Sequence, residues 1–181
     1  MKKFLHLVII FLILVGCGKS YKPSQASIIA NDIQKKVMLQ LKKEKNLFPC
    51  EFGSGAKNPI KSLHCGFDYY NEVDIEKGRE LIILAVNKFT AEINANAKVR
   101  PYLAVYPFKP ENMDVEIFFK QSNGSELSPE RIHIISIING KLRYKTAVPG
   151  QGRPLTTIHE ETYEEAIAKL NDAVCVVPSG G

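Results

Sequence analysis

The chain has 181 residues, 24 Lys and Arg against 19 Asp and Glu, four Cys and no Trp, and 45% of it is hydrophobic. That length suits one domain, and a composition this close to the globular average excludes a disordered, collagenous or coiled-coil protein. A net charge of +5 without a basic stripe gives no reason to expect a nucleic-acid partner.

Lys2 and Lys3 precede an apolar run from Phe4 to Val15, interrupted by His6, and Gly16 and Cys17 close it. A basic start, a short apolar stretch and a small-residue exit are the three parts of a secretory signal. Twelve positions are too few to span a bilayer, which takes roughly 20 helical residues. The exit Leu14-Val15-Gly16-Cys17 resembles the lipobox of bacterial lipoproteins, in which an aliphatic residue, a small or branched residue and Gly or Ala precede Cys. The resemblance covers this segment only. It implies that residues 1–16 are a signal peptide, that the Cys17 thiol takes a diacylglyceryl group, and that cleavage leaves a mature chain of 165 residues. Gly18 and Lys19 follow Cys17 where Asp would favour inner-membrane retention, so the resemblance implies the outer membrane in a Gram-negative host. In another host it implies the outer face of the cell membrane. Two or three acyl chains, at about 0.8 kcal/mol per buried methylene, make such an attachment stable.

Residues 17–27 are polar, include Pro23, and read as a lipidated tether; 28–181 read as a single α+β domain. Ile29, Ile33, Val37 and Leu41 recur at helical spacing over Ile28–Lys45. Lysines 35, 36, 42 and 43 fall elsewhere on that cylinder. They read as a solvated face of a helix packed on the domain, in preference to a membrane-surface helix, because the stripe lacks large aromatics. Asn46–Asn71, with Pro49, Gly53, Gly55, Pro59 and Gly66, reads as a long ordered loop. Asp74 suits an N-cap, and Ile82, Val86, Phe89 and Ile93 predict a core helix to about Ala97.

Beyond Pro101 the period becomes two. Leu103 and Val105, then Val115, Ile117 and Phe119, predict strand; Ile132–Ile138 reads as an interior strand, apolar on both faces. Asn139-Gly140 is a type I′ hairpin signal, and Leu142, Tyr144 and Thr146 predict a half-buried partner strand. Pro149–Pro154 breaks the sheet. Thr157 and Glu160 match a capping box, with Tyr163, Ala166, Ile167 and Leu170 as the buried stripe of a last helix. The expected architecture is a small antiparallel sheet of three or four strands packed in two layers with two or three helices.

Chemistry is less legible. Export places the domain where disulfides persist, and Cys50 and Cys65 flank the irregular segment, so these two are the expected pair, with Cys175 left over. His64-Cys65 with His133 or His159 could form a thiol nucleophile and base, but no protease context surrounds them. The same residues lack the tight ligand pairs of a structural zinc site, so no metal and no cofactor is expected. Gly150-Gln-Gly152-Arg153 lacks the Lys-Ser/Thr ending of a phosphate loop, leaving Arg153 a weak anion contact. The reading that remains is a membrane-anchored, non-enzymatic binding or assembly module, with membrane lipid and an envelope protein as partners. The alternative is an anchored enzyme whose cleft joins the 46–71 and 149–154 loops.

Overall fold

A computed structural model describes residues 23–54, 58–148 and 154–175. Three α-helices, α1 (Gln25–Lys45), α2 (Ile75–Ala95) and α3 (Tyr163–Cys175), accompany six strands: β1 (Phe48–Ser54), β2 (Leu63–Tyr69), β3 (Met113–Phe119), β4 (Ile132–Ile138), β5 (Lys141–Ala147) and β6 (Leu155–Thr162). The strands lie side by side in chain order in one sheet. Every neighbouring pair is antiparallel except β2 and β3, which are parallel and joined through α2. The class is α+β in two layers, as expected, but the sheet has six strands and is mixed.

Each helix follows from local chemistry. Ser24 caps α1 by accepting from the Ser27 amide, so the helix starts at Gln25 and takes in the end of the expected tether. Asp74 caps α2 through the Lys77 amide at 2.7 Å. The box expected at Thr157 and Glu160 forms five residues later. Thr162 Oγ1 accepts from the Glu165 amide, and the Glu165 carboxylate accepts from the Thr162 amide. Residues 155–162 are instead β6, so Glu160 and Glu161 sit on a strand.

The long loop expected over 46–71 is largely the β1–β2 pair. Pro49 is tolerated there because β1 is an edge strand and the register shifts between Pro49 and Glu51. In β2, Leu63, Cys65 and Phe67 do alternate inward. Conversely, the strand expected at Leu103 and Val105 is irregular backbone holding an isolated Ile60–Leu103 bridge, with Val105 and Tyr106 exposed. The Asn139-Gly140 turn forms as read, with φ of 50° and 73°.

The core lies between the sheet and the helices. Val115, Ile117, Ile135, Ile137, Leu142 and Tyr144 face inward and are fully buried. Phe89 and Ile82 of α2 meet them, the Phe89 ring lying tilted against Phe67 with centroids 6.3 Å apart. Gly78 brings α2 close to the sheet: a Cβ there would stand 2.0 Å from Ile135 Cδ1. The lysine-bearing α1 buries Ala30, Ile33, Val37 and Leu41 in this core. Its lysines spread to two flanks, Lys36 pairing with Glu92 while Lys35 and Lys42 lie over the Phe52 and Phe48 rings. None of the helices among the described residues is long and apolar enough to cross a membrane.

Candidate functional site

Because the inward positions of every strand point toward the helices, the alternate positions form a second face that no helix among the described residues covers. On β3 the alternation is complete: Met113, Val115, Ile117 and Phe119 are buried, and Asp114, Glu116 and Phe118 between them are half-buried. The register aligns Glu51, Gly66, Glu116, Ser136, Arg143 and Glu160 in one row across all six strands. The row is acidic at its β1–β3 end. At its β5–β6 end Arg143 donates to Glu160 at 2.8 Å, and Lys141 pairs with the same carboxylate.

At the acidic end three side chains converge. Glu51 folds over Gly66, where a Cβ would stand 2.4 Å from Glu51 Cγ, so the absence of a side chain gives Glu51 its path. It reaches His64, whose Nε2 lies 3.1 Å from Glu51 Oε1. Glu116 approaches from β3, placing one ligand atom from each of Glu51, His64 and Glu116 within 4.8 Å of the others. Among the described residues Glu116 has no ion pair or hydrogen bond, and the Glu51 carboxylate pairs only with His64. Asp114 lies beside His64 in register; burial raises its carboxyl, while His64 and a Ser62 hydrogen bond oppose the rise. Directly opposite Glu116, Ser136 is 1% exposed, and its Oγ has no hydrogen-bond partner among the described residues.

A shallow cleft of about 280 Å³ marks the other end of the sheet, near Phe118, Lys120, His133, Ile134 and Leu155. His133 Nε2 lies 3.1 Å from the Ser128 carbonyl oxygen, which can only accept, so the ring donates there from Nε2. His133 and His64 are separated by about five residues of strand, or about 16 Å at 3.3 Å per residue. His159 is on the inward face of β6, its ring 5.2 Å from that of Tyr144.

The residues singled out in the sequence therefore do not meet. His64 points outward, whereas Cys65 points inward and its Sγ accepts from Gln34 Nε2 at 3.2 Å. Burial pushes the Cys65 thiol up to about 12 despite that hydrogen bond, which leaves it protonated and poorly nucleophilic near neutral pH. Cys50 is an exposed free thiol at the β1 irregularity; burial, then Asp68 and Glu51, raise it to about 11. The expected Cys50–Cys65 disulfide is absent, because one sulfur lies under α1 and the other beside Asp68 and Lys120. Cys17 and Arg153 lie outside the described residues.

Glu51 and Glu116 escaped the sequence reading. Each is an ordinary polar position; the antiparallel pairing of β1 with β2 brings Glu51 to His64, and the parallel pairing of β2 with β3 brings Glu116. No protein-family model, curated protein or solved structure matches this chain.

Proposed function

We propose that this chain is an exported lipoprotein, tethered through acylated Cys17, whose folded part is a non-enzymatic binding module working through the uncovered sheet face. The observation that carries the binding part is that face itself: six strands with a continuous row and, among the described residues, no helix over it. Anchoring by lipid is supported by the Leu14–Cys17 segment and by α1, which spends its apolar stripe on the domain core and so is not free to enter a bilayer. Seven residues separate Cys17 from Gln25, so the acyl chains would hold the domain close to the bilayer surface.

Two features of the described residues favour the binding module over the anchored-enzyme alternative. Of the 46–71 segment that was to line a cleft, Phe48–Ser54 and Leu63–Tyr69 are paired strands, and the thiol beside His64 faces the core. Labelling cells with palmitate tests the anchor: wild type should incorporate label and fractionate with membranes, and Cys17→Ala should do neither. Equal labelling of the variant overturns the anchor, and a substrate turnover abolished by Cys65→Ser in a folded protein overturns the non-enzymatic reading.

A further inference from the structure

We infer that Glu51, His64 and Glu116 form a binding site for a divalent transition-metal ion, with zinc the probe of choice. The inference goes beyond the proposed binding module and does not depend on acylation of Cys17.

Two carboxylates and an imidazole converge from three adjacent strands, with their ligand atoms within 4.8 Å of one another. An ion held at about 2.1 Å by each donor needs them roughly 3.4 Å apart in a tetrahedral arrangement. His64 and Glu51 already stand at 3.1 Å, and Glu116 closes the remaining gap by a side-chain adjustment on an uncovered face. Imidazole favours first-row transition metals over calcium and magnesium, which prefer all-oxygen shells. Three protein donors leave at least one coordination position for water or a ligand atom.

Charge supports the assignment. Glu116 has no Lys, Arg or hydrogen-bond donor among the described residues, and Glu51 is met only by His64. Two carboxylates this close repel each other, and a divalent ion relieves that repulsion. The backbone also makes room, since only Gly66 lets Glu51 cross β2 toward the cluster. An independent feature is Ser136, opposite Glu116 on the same face, whose Oγ is buried and unpartnered. Buried polar groups are ordinarily satisfied, and a water on the ion beside Glu116 would give this hydroxyl its partner.

The test uses the full-length chain in detergent, reduced, and titrated with Zn²⁺ by calorimetry. One equivalent should bind, with Kd raised at least about tenfold in both His64→Ala and Glu116→Gln. His133→Ala and Cys50→Ser should leave Kd unchanged, and millimolar Mg²⁺ or Ca²⁺ should not displace the ion. A readout on the unaltered protein runs in parallel: Zn²⁺ should shift the ring ¹⁵N resonances of His64 and leave those of His133 and His159 in place. Absence of saturable binding, binding insensitive to both site variants, equal loss in His133→Ala or Cys50→Ser, displacement by Ca²⁺, or an unmoved His64 ring overturns the inference.

Discussion

Replacing Glu161 by Gln removes the charge from the most heavily bonded carboxylate in the described structure. Its side chain is 1% exposed on β6, facing Arg79 of α2, which is 6% exposed. Arg79 donates from Nε to Oε1 at 2.7 Å and from NH2 to Oε2 at 3.1 Å. Tyr144 Oη adds a bond to Oε1 and Lys169 Nζ one to Oε2, both at 2.6 Å. Burial pushes the Glu161 carboxyl up, but these hydrogen bonds outweigh it and hold it at about 2, against an ordinary 4.5. Because the folded value is the lower one, the contribution is fully present above about pH 4.5 and disappears as pH falls through about 2. Glu161→Gln leaves the Arg79 guanidinium buried without its counter-charge, and breaking such a pair costs about 3–5 kcal/mol. Gln retains one acceptor oxygen for Arg79 or Tyr144, which places the expected loss near about 3 kcal/mol. At about 2–4 °C per kcal/mol for a domain of this size, thermal unfolding followed by circular dichroism at pH 7 should show a fall of about 6–12 °C. The gap between wild type and variant should close as the pH is lowered from 4.5 toward 2. A variant that melts within 2 °C of wild type at pH 7, or a gap that widens in acid, refutes the role assigned to this network.

Two further predictions follow from close packing. Gly78→Ala improves helix propensity by about 1 kcal/mol, yet its Cβ would stand 2.0 Å from Ile135 Cδ1. Overpacking of about 1–3 kcal/mol should exceed the gain, and chemical denaturation should show net destabilisation; a stabilised variant would mean that α2 and β4 part freely. In the folded, reduced protein, iodoacetamide should alkylate Cys50 slowly and Cys65 only after unfolding, since one thiol is exposed and the other buried. Mass spectrometry that finds Cys65 modified first, or the two linked, contradicts the placement of these sulfurs.

Local chemistry was legible along the chain. Asp74 at an N-cap, the helical stripe from Ile82 to Ile93, and the positive-φ pair Asn139-Gly140 act through neighbours in sequence, and each appears in the structure where its residues predict it. The capping box shows the limit of such signals. Thr157 with Glu160 and Thr162 with Glu165 have the same spacing, and pairing with β5 decides between them by drawing 155–162 into the sheet. The β1 and β2 strands were hidden for a related reason: Pro49, Gly53 and Gly66 weaken strand propensity, which pairing across the sheet and helices above it override.

The sequence by itself also determined the thiol inventory and the Leu14–Cys17 segment that resembles a lipobox, because both are properties of residue order. Which thiols could meet was decided by tertiary structure. One residue of difference in a strand reverses the face a side chain takes, so His64 and Cys65, adjacent in the chain, end on opposite sides of the sheet. Glu51, His64 and Glu116 span 65 positions and come together only because α2 carries the chain over to lay β3 parallel to β2. Periodicity reports which face a residue takes within its own strand; which strands become neighbours, and in what register, is set by long-range packing that no local pattern encodes.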